Sequence, residues 1–459
     1  MAARSSSIVP VLWVALALRL ALPLAAFLAT GDATVFHAPD SAGYLKLASE
    51  WLASGRFALD GQPEIFRTPG YPLFLAPGLL LGSVDLWALL AQAAVSCATV
   101  YLVFHVARLL FERPDRALLA AWLYACEPLS VLYSCRLLTE TLFTGLLIAF
   151  LYFLLRYLQE ETWWALVWPA LFLAAAACTR PIAYFLPAVV AVALACRAAF
   201  GERKVLGLLH AAAFLLLAMV PLGLWQWRNA REAGYAGFAA ITEHNLYFAH
   251  AGAVLAAQQG RPSYEVRREL GESDETSYLR AHPEQRAWTL AQRYAYMRAE
   301  SRRILLAAPL CWAMICARGE LGIFLDPGAQ EYLKLFQLYQ EGGGLVGKAV
   351  DQGPLNLAAT LLRERPLLFW SNLLLATGLL FHLVCAGLAL CSKGWKARKS
   401  AATCAVLGVG LFLLLCSAGP YGYHRFRHPL MPLVCILGGW GLGVVVERWK
   451  ASSTVTVSE

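Results

Sequence analysis

Apolar runs of membrane-spanning length recur along this chain, separated by short polar turns and by a few longer charged stretches. A bilayer core takes about 20 residues of helix to cross. Ten runs approach that length, at 8–30, 86–110, 117–133, 141–158, 163–178, 182–196, 206–227, 367–391, 401–416 and 430–446. They predict an all-α polytopic bundle of about ten spans. The stretch 304–316 is short and flanked by polar residues, and reads as a re-entrant or interfacial segment. The pattern divides the chain into an N-terminal membrane core (1–227), an outer loop or cap (228–366) and C-terminal membrane helices with a short tail (367–459).

Between the spans the periodicity changes. Asp40, Tyr44, Leu47, Ala48 and Trp51 recur at helical spacing, so 39–54 reads as a short amphipathic helix lying on the membrane surface. In the cap, 264–270 and 283–303 are charged and helical, as a wet helix face is. Glu341 opens a Glu-Gly-Gly-Gly run that reads as a hinge; it lacks the Lys-Ser/Thr of a phosphate-binding loop.

Composition agrees. The chain is 59% hydrophobic and 15% charged over 459 residues, too little charge to coat a soluble protein of this size. Its net charge of +8 is scattered through inter-span loops, which fits anionic membrane lipids and gives no reason to expect nucleic acid. With ten crossings, Arg4, the 108–116 arginines, Arg197 to Lys204, Lys393 to Lys399, and Arg448 with Lys450 all share one side, the cytoplasmic one. The first run, interrupted by Arg19, is long for a cleaved signal peptide. Twelve cysteines include no C-x-x-C pair and read as small apolar residues. None of the four Asn residues lies in an Asn-x-Ser/Thr sequon, which favours a bacterial inner membrane over a eukaryotic lumen.

Candidate chemistry lies on the opposite, outward side. Asp40 falls where span meets water, so it can stay charged and still face a lipid-borne substrate; its commonest alternative task there is to cap the helix. Arg67, in RTPGYPLF with Tyr71, is held at the interface by a Pro-Gly turn and suits a phosphate, or else snorkels to headgroups. Arg136 and Glu140 are four apart and either form an ion pair or serve a site. Arg180 is a further outward Arg. Arg425, Arg427 and His428 form a basic cluster on the side that positive-inside bias depletes, which calls for an anionic partner. Asn245 and Tyr247 lie in an apolar part of the cap and could line a pocket.

These pieces together resemble the glycosyltransferase family 39 group, which includes protein O-mannosyltransferases and lipid A aminoarabinose transferases and has the GT-C membrane fold. The matching stretches are APDSAGY at Asp40, RTPGYPLFL at Arg67, RLLTETLF at Glu140, TRP at Arg180, WRNAREAGY at Trp227 and RFRHPLMPL at Arg425, in the family's order. The resemblance implies transfer of a sugar from a polyprenyl-phosphate carrier to an acceptor on the outer or lumenal face. It implies Asp40 as the base, Glu140 as the second-loop acid, and Arg67 and Arg425 near the carrier phosphate. Asn245 follows Glu-His where the family often has Gly. No stretch after the last span reads as the soluble domain some relatives carry, so the acceptor (lipid, glycan or protein) stays open. Asp40 and Glu140 could share a divalent cation, a thin ligand set without a His or third acid. The competing expectation is a lipid or solute transporter or flippase, for which Arg19 in mid-span is the best feature.

Overall fold

The computed structural model describes residues 7–339, 353–396 and 400–455. The Glu341 glycine run, Arg4, Arg398 and Lys399 lie outside the described residues. All ten expected spans are helical. The first ten helices are α1 (Val9–Thr30), α2 (Ser41–Ser54), α3 (Gly70–Leu80), α4 (Val84–Phe111), α5 (Pro114–Ala125), α6 (Pro128–Ser134), α7 (Glu140–Glu160), α8 (Trp163–Thr179), α9 (Leu186–Ala199) and α10 (Lys204–Ala233). Among the described residues seven helices are long and apolar enough to cross a membrane, or up to nine if each of two bent pairs is one span. Trp163–Thr179 and Ala401–Ser417 have 17 residues each, which at about 1.5 Å per residue falls a little short of the hydrocarbon thickness.

The bent pairs are where the chain departs from simple crossings. Pro128 cannot continue a helix from α5, so α5 and α6 meet at 54°. The Glu127 carboxylate accepts from the N–H groups of Leu129 (3.1 Å) and Ser130 (2.6 Å) and starts the chain again as α6. Arg19 closes the gap. Its guanidinium donates to Ser96 Oγ (2.6 Å), the carbonyls of Ala15 (3.1 Å) and Ala125 (3.0 Å), and Ser130 Oγ (3.0 Å). Mid-span Arg19 thus faces neutral acceptors at a helix break, 1% exposed, rather than a transport path. The second pair, Leu290–Ala307 and Pro309–Leu325, turns by 99° within the stretch expected to be re-entrant.

The apolar core is built from α4, α5, α7, α8, α10 and the last helix, Met431–Val455, which packs on α5 and on Pro366–Cys391. Trp13, Leu24, Leu28 and Leu216 are exposed, as residues facing lipid are. Between α2 and α3, Asp60 and Gly61 both have positive φ (51° and 73°) and turn a two-residue hairpin between Ala58–Leu59 and Gln62–Pro63. Ile65, just beyond it, packs with Tyr235, Tyr247, Phe248, Tyr278, Tyr294 and Met297 into the apolar centre of the cap. This anchors the segment that ends in Arg67.

Candidate functional site

Asp40 occupies the position before α2, yet its carboxylate makes no capping hydrogen bond. Ser41 organises the turn instead. Its hydroxyl accepts from Ala38 N (2.8 Å) and donates to Leu137 O (2.7 Å). That leaves the Asp40 side chain, 42% exposed, to take Arg425 Nη1 on Oδ2 at 2.8 Å, with Arg67 Nη2 at 3.9 Å from Oδ1. The expectation that Asp40 merely caps is not met.

Arg67 is aimed from behind. The buried Glu64 carboxylate accepts the backbone N–H of Phe66 (2.5 Å) and of Arg67 (2.9 Å), and Arg228 holds the carbonyls of Glu64 (2.6 Å) and Phe57. The guanidinium lies 5.0 Å from the Tyr44 ring centroid and directly over Gly43, where a Cβ would meet Nη1 at 2.2 Å. Burial, with the Asp40 charge beside it, pushes the Tyr44 phenol up, so it stays protonated. Gly70 lets α3 start against the Cys178 carbonyl, which a Cβ would meet at 2.7 Å. Tyr71, expected to contact substrate, is fully buried instead, its hydroxyl donating to Gln92 Oε1 at 2.8 Å.

Glu140 begins α7, where the helix dipole favours a carboxylate. It is completely buried, and one oxygen accepts from both Arg180 Nη1 (2.5 Å) and Arg425 Nε. It does not pair with Arg136. That Arg is four residues before Glu140 but is separated from it by an irregular turn, and it reaches Val35 O (2.5 Å) and Glu331 (3.2 Å). Burial by itself would raise Glu331; Lys334 and Arg136 outweigh it and hold its carboxyl below the usual range. Arg136 is therefore a tether between the segments that carry Val35 and Glu331.

Arg425 is presented by the short helix His424–Arg427, and its neighbours hold it down. His424 Nδ1 pairs with Asp326 Oδ2 at 2.7 Å, and Arg427 donates to the carbonyls of Asp326 (2.8 Å) and Ile323. Arg427 thus turns away from the anion rim expected of it. His428 is buried, with Nδ1 3.0 Å from the Thr144 hydroxyl. Pro309–Leu325 packs backbone to backbone on the preceding loop: a Cβ on Gly319 would stand 1.7 Å from Gly419 O. In the cap, Asn245 is exposed, and Tyr247 is buried with its hydroxyl against His282 Nε2 (3.0 Å), so neither joins the cluster.

Five of the expected residues therefore converge: Asp40, Arg67, Glu140, Arg180 and Arg425. The spacing of the sequence did not reveal Glu64, Arg228 or Asp326, which act through backbone atoms or distant partners. Gly43 had a signal, three residues after Asp40 on the same helix. Among the described residues no three His, Cys, Asp or Glu side chains group as a metal site would require. With one Glu140 oxygen under two guanidinium groups, the Asp40–Glu140 pair as arranged does not fit a shared divalent cation.

The molecule is thus a membrane helix bundle that gathers arginines and carboxylates on one face. Residues 66–225, about a third of the chain, match the family model for dolichyl-phosphate-mannose-protein mannosyltransferase. No curated protein sequence matches. Among solved structures, the Archaeoglobus fulgidus oligosaccharyltransferase, in complex with Zn and sulfate, superposes with a TM-score of 0.52 at 13% identity, over 98% of this chain and 51% of that one. This chain thus spans about half the length of that transferase. ArnT from Cupriavidus metallidurans, bound to undecaprenyl phosphate, gives a TM-score of 0.41 at 17% identity, over 93% of this chain and 77% of that one. The chain has the GT-C fold, and its resemblance to the family 39 glycosyltransferases holds.

Proposed function

We propose that this protein is a membrane glycosyltransferase that moves a sugar from a polyprenyl-phosphate donor to an acceptor hydroxyl on the outer face of a bacterial inner membrane. The observation that carries this reading is one contact: Arg425 and Asp40, 385 residues apart, meet at a half-exposed carboxylate beside two further arginines. An arginine rim next to a water-accessible acid suits a phosphate leaving group and a proton acceptor.

In this mechanism the acceptor oxygen attacks the anomeric carbon. The bond from that carbon to the phosphate oxygen breaks, and its electron pair stays on the phosphate, where Arg67 and Arg425 stabilise the charge. The acceptor's proton goes to Asp40. A single displacement inverts the anomeric carbon. Glu140, with both neighbouring arginines on it, holds the rim in place and has no acidic role of its own. Arg19, the best feature for the transporter reading, serves the helix break instead.

The test uses protein in lipid nanodiscs with a radiolabelled polyprenyl-phosphate sugar and a membrane acceptor pool. Asp40→Asn should lower turnover by about 10²-fold or more, as loss of a general base does. Unchanged transfer by that variant would remove Asp40 as the base, and uptake without covalent transfer would establish a transporter.

A further inference from the structure

Asp40 makes a contact that competes with work as a base. Asp40 Oδ2 already accepts a hydrogen bond from Arg425 Nη1 at 2.8 Å, so the oxygen that would take the acceptor's proton is occupied. Building on the transferase reading, we infer that Asp40 is the resident counter-ion of the anion site, and that the donor phosphate displaces it from Arg425 and so releases it to act as the base.

The two arms of Arg425 differ in how easily they can let go. Nε sits on Glu140, which is fully buried and cannot be rehydrated if abandoned. His424 and Arg427 fix the backbone on either side through Asp326 and Ile323. Nη1 sits on Asp40, whose side chain is 42% exposed and can return to water. Arg425 thus has one fixed arm and one exchangeable arm. Arg67 is already loose: its approach to Asp40, at 3.9 Å, is beyond hydrogen-bond range, and its side chain makes no hydrogen bond among the described residues.

Charge favours the exchange. Three guanidinium groups face two carboxylates, an excess of one positive charge. A donor phosphodiester carries one negative charge and neutralises it. On transfer the phosphate becomes a monoester and gains negative charge, while Asp40 takes a proton and loses its own. The total is unchanged, and the Nη1 arm is left on the group that has become more anionic. Until a phosphate arrives, Arg425 keeps Asp40 from activating water or an acceptor, so the donor binds first.

Binding of a polyprenyl monophosphate to nanodisc-embedded protein distinguishes the outcomes. Asp40→Asn should bind it tighter than wild type, by about two- to fivefold, the range an exposed ion pair is worth, while losing transfer. Asp40→Ser, also uncharged, should tighten binding as well, and covers the case in which the Asn variant folds poorly. Asp40→Glu should not tighten it, and the gain should vanish in Asp40→Asn/Arg425→Lys. Wild-type binding with no tightening in either neutral variant overturns the counter-ion role and leaves the transferase reading standing. Failure of wild type to bind the lipid phosphate overturns both.

Discussion

Two carboxylates of the same charge sit within reach of Arg425, and burial gives them different work. Glu140 has no access to water and holds two guanidinium groups, so its loss strands buried cations. Breaking a buried pair from one side costs about 3–5 kcal/mol. Glu140→Gln should therefore lower the unfolding temperature markedly and abolish transfer, whereas Asp40→Asn should abolish transfer with little thermal change. Equal melting curves for the two variants would contradict this division. Gly43 makes a finer case. A methyl there meets only the far end of a flexible arginine, so the fold tolerates Gly43→Ala and helix propensity even improves. Arg67 must move off Tyr44 and away from Asp40. The expected result is a donor KM raised several-fold in steady-state assays, with the melting temperature unchanged or slightly higher. These residue types were legible in the chain. What was not legible was their pairing. Arg136 reads as a partner of Glu140 from spacing alone, yet the turn between them breaks the helical register and Glu331, 195 residues on, takes its place.

Short elements position the long ones. The helix His424–Arg427 has a single turn and would not persist alone. It is held by Asp326 at the end of Pro309–Leu325 and by the close glycine contact of Gly319 with Gly419. Burial would raise the Asp326 carboxyl, but the hydrogen bond and charge of His424 outweigh it and leave it below the ordinary range. A carboxyl depressed in the folded state stabilises that state above its unfolded value. The contribution fades as pH falls from the ordinary carboxylate range through the lower folded value. Asp326→Asn should accordingly lower stability near neutral pH and flatten the acid limb of a plot of unfolding temperature against pH; a limb as steep as wild type would show that other carboxylates set it. The sequence displayed the basic loop but not its support, because a backbone carbonyl and a lone Asp beyond a helix end carry no periodic signal.

Across the whole molecule the candidate site depends on packing among the apolar helices. The spans were legible because apolar length is a direct physical requirement of a bilayer, and all ten expected segments are helical. The breaks were less so: Pro128 marked one, but nothing in the sequence said which group would satisfy the Ala125 carbonyl, whose helical donor, Leu129 N–H, turns to Glu127 at the bend. Arg19 does this, joining α1 to α4 through Ser96 and to the α5–α6 bend through Ala125 and Ser130. That bend leads directly into the segment carrying Cys135 to Glu140, so α1, which precedes Asp40, and α7, which begins with Glu140, are fastened at one point. Arg19→Leu removes a buried cation but leaves a carbonyl and two hydroxyls without their donor, at about 1–3 kcal/mol for each group that finds no substitute. The expected outcome is a lower unfolding temperature in detergent, with turnover per folded molecule within a few-fold of wild type when measured well below that temperature. A transport path through Arg19 would give the opposite pattern: a stable protein that has lost its activity.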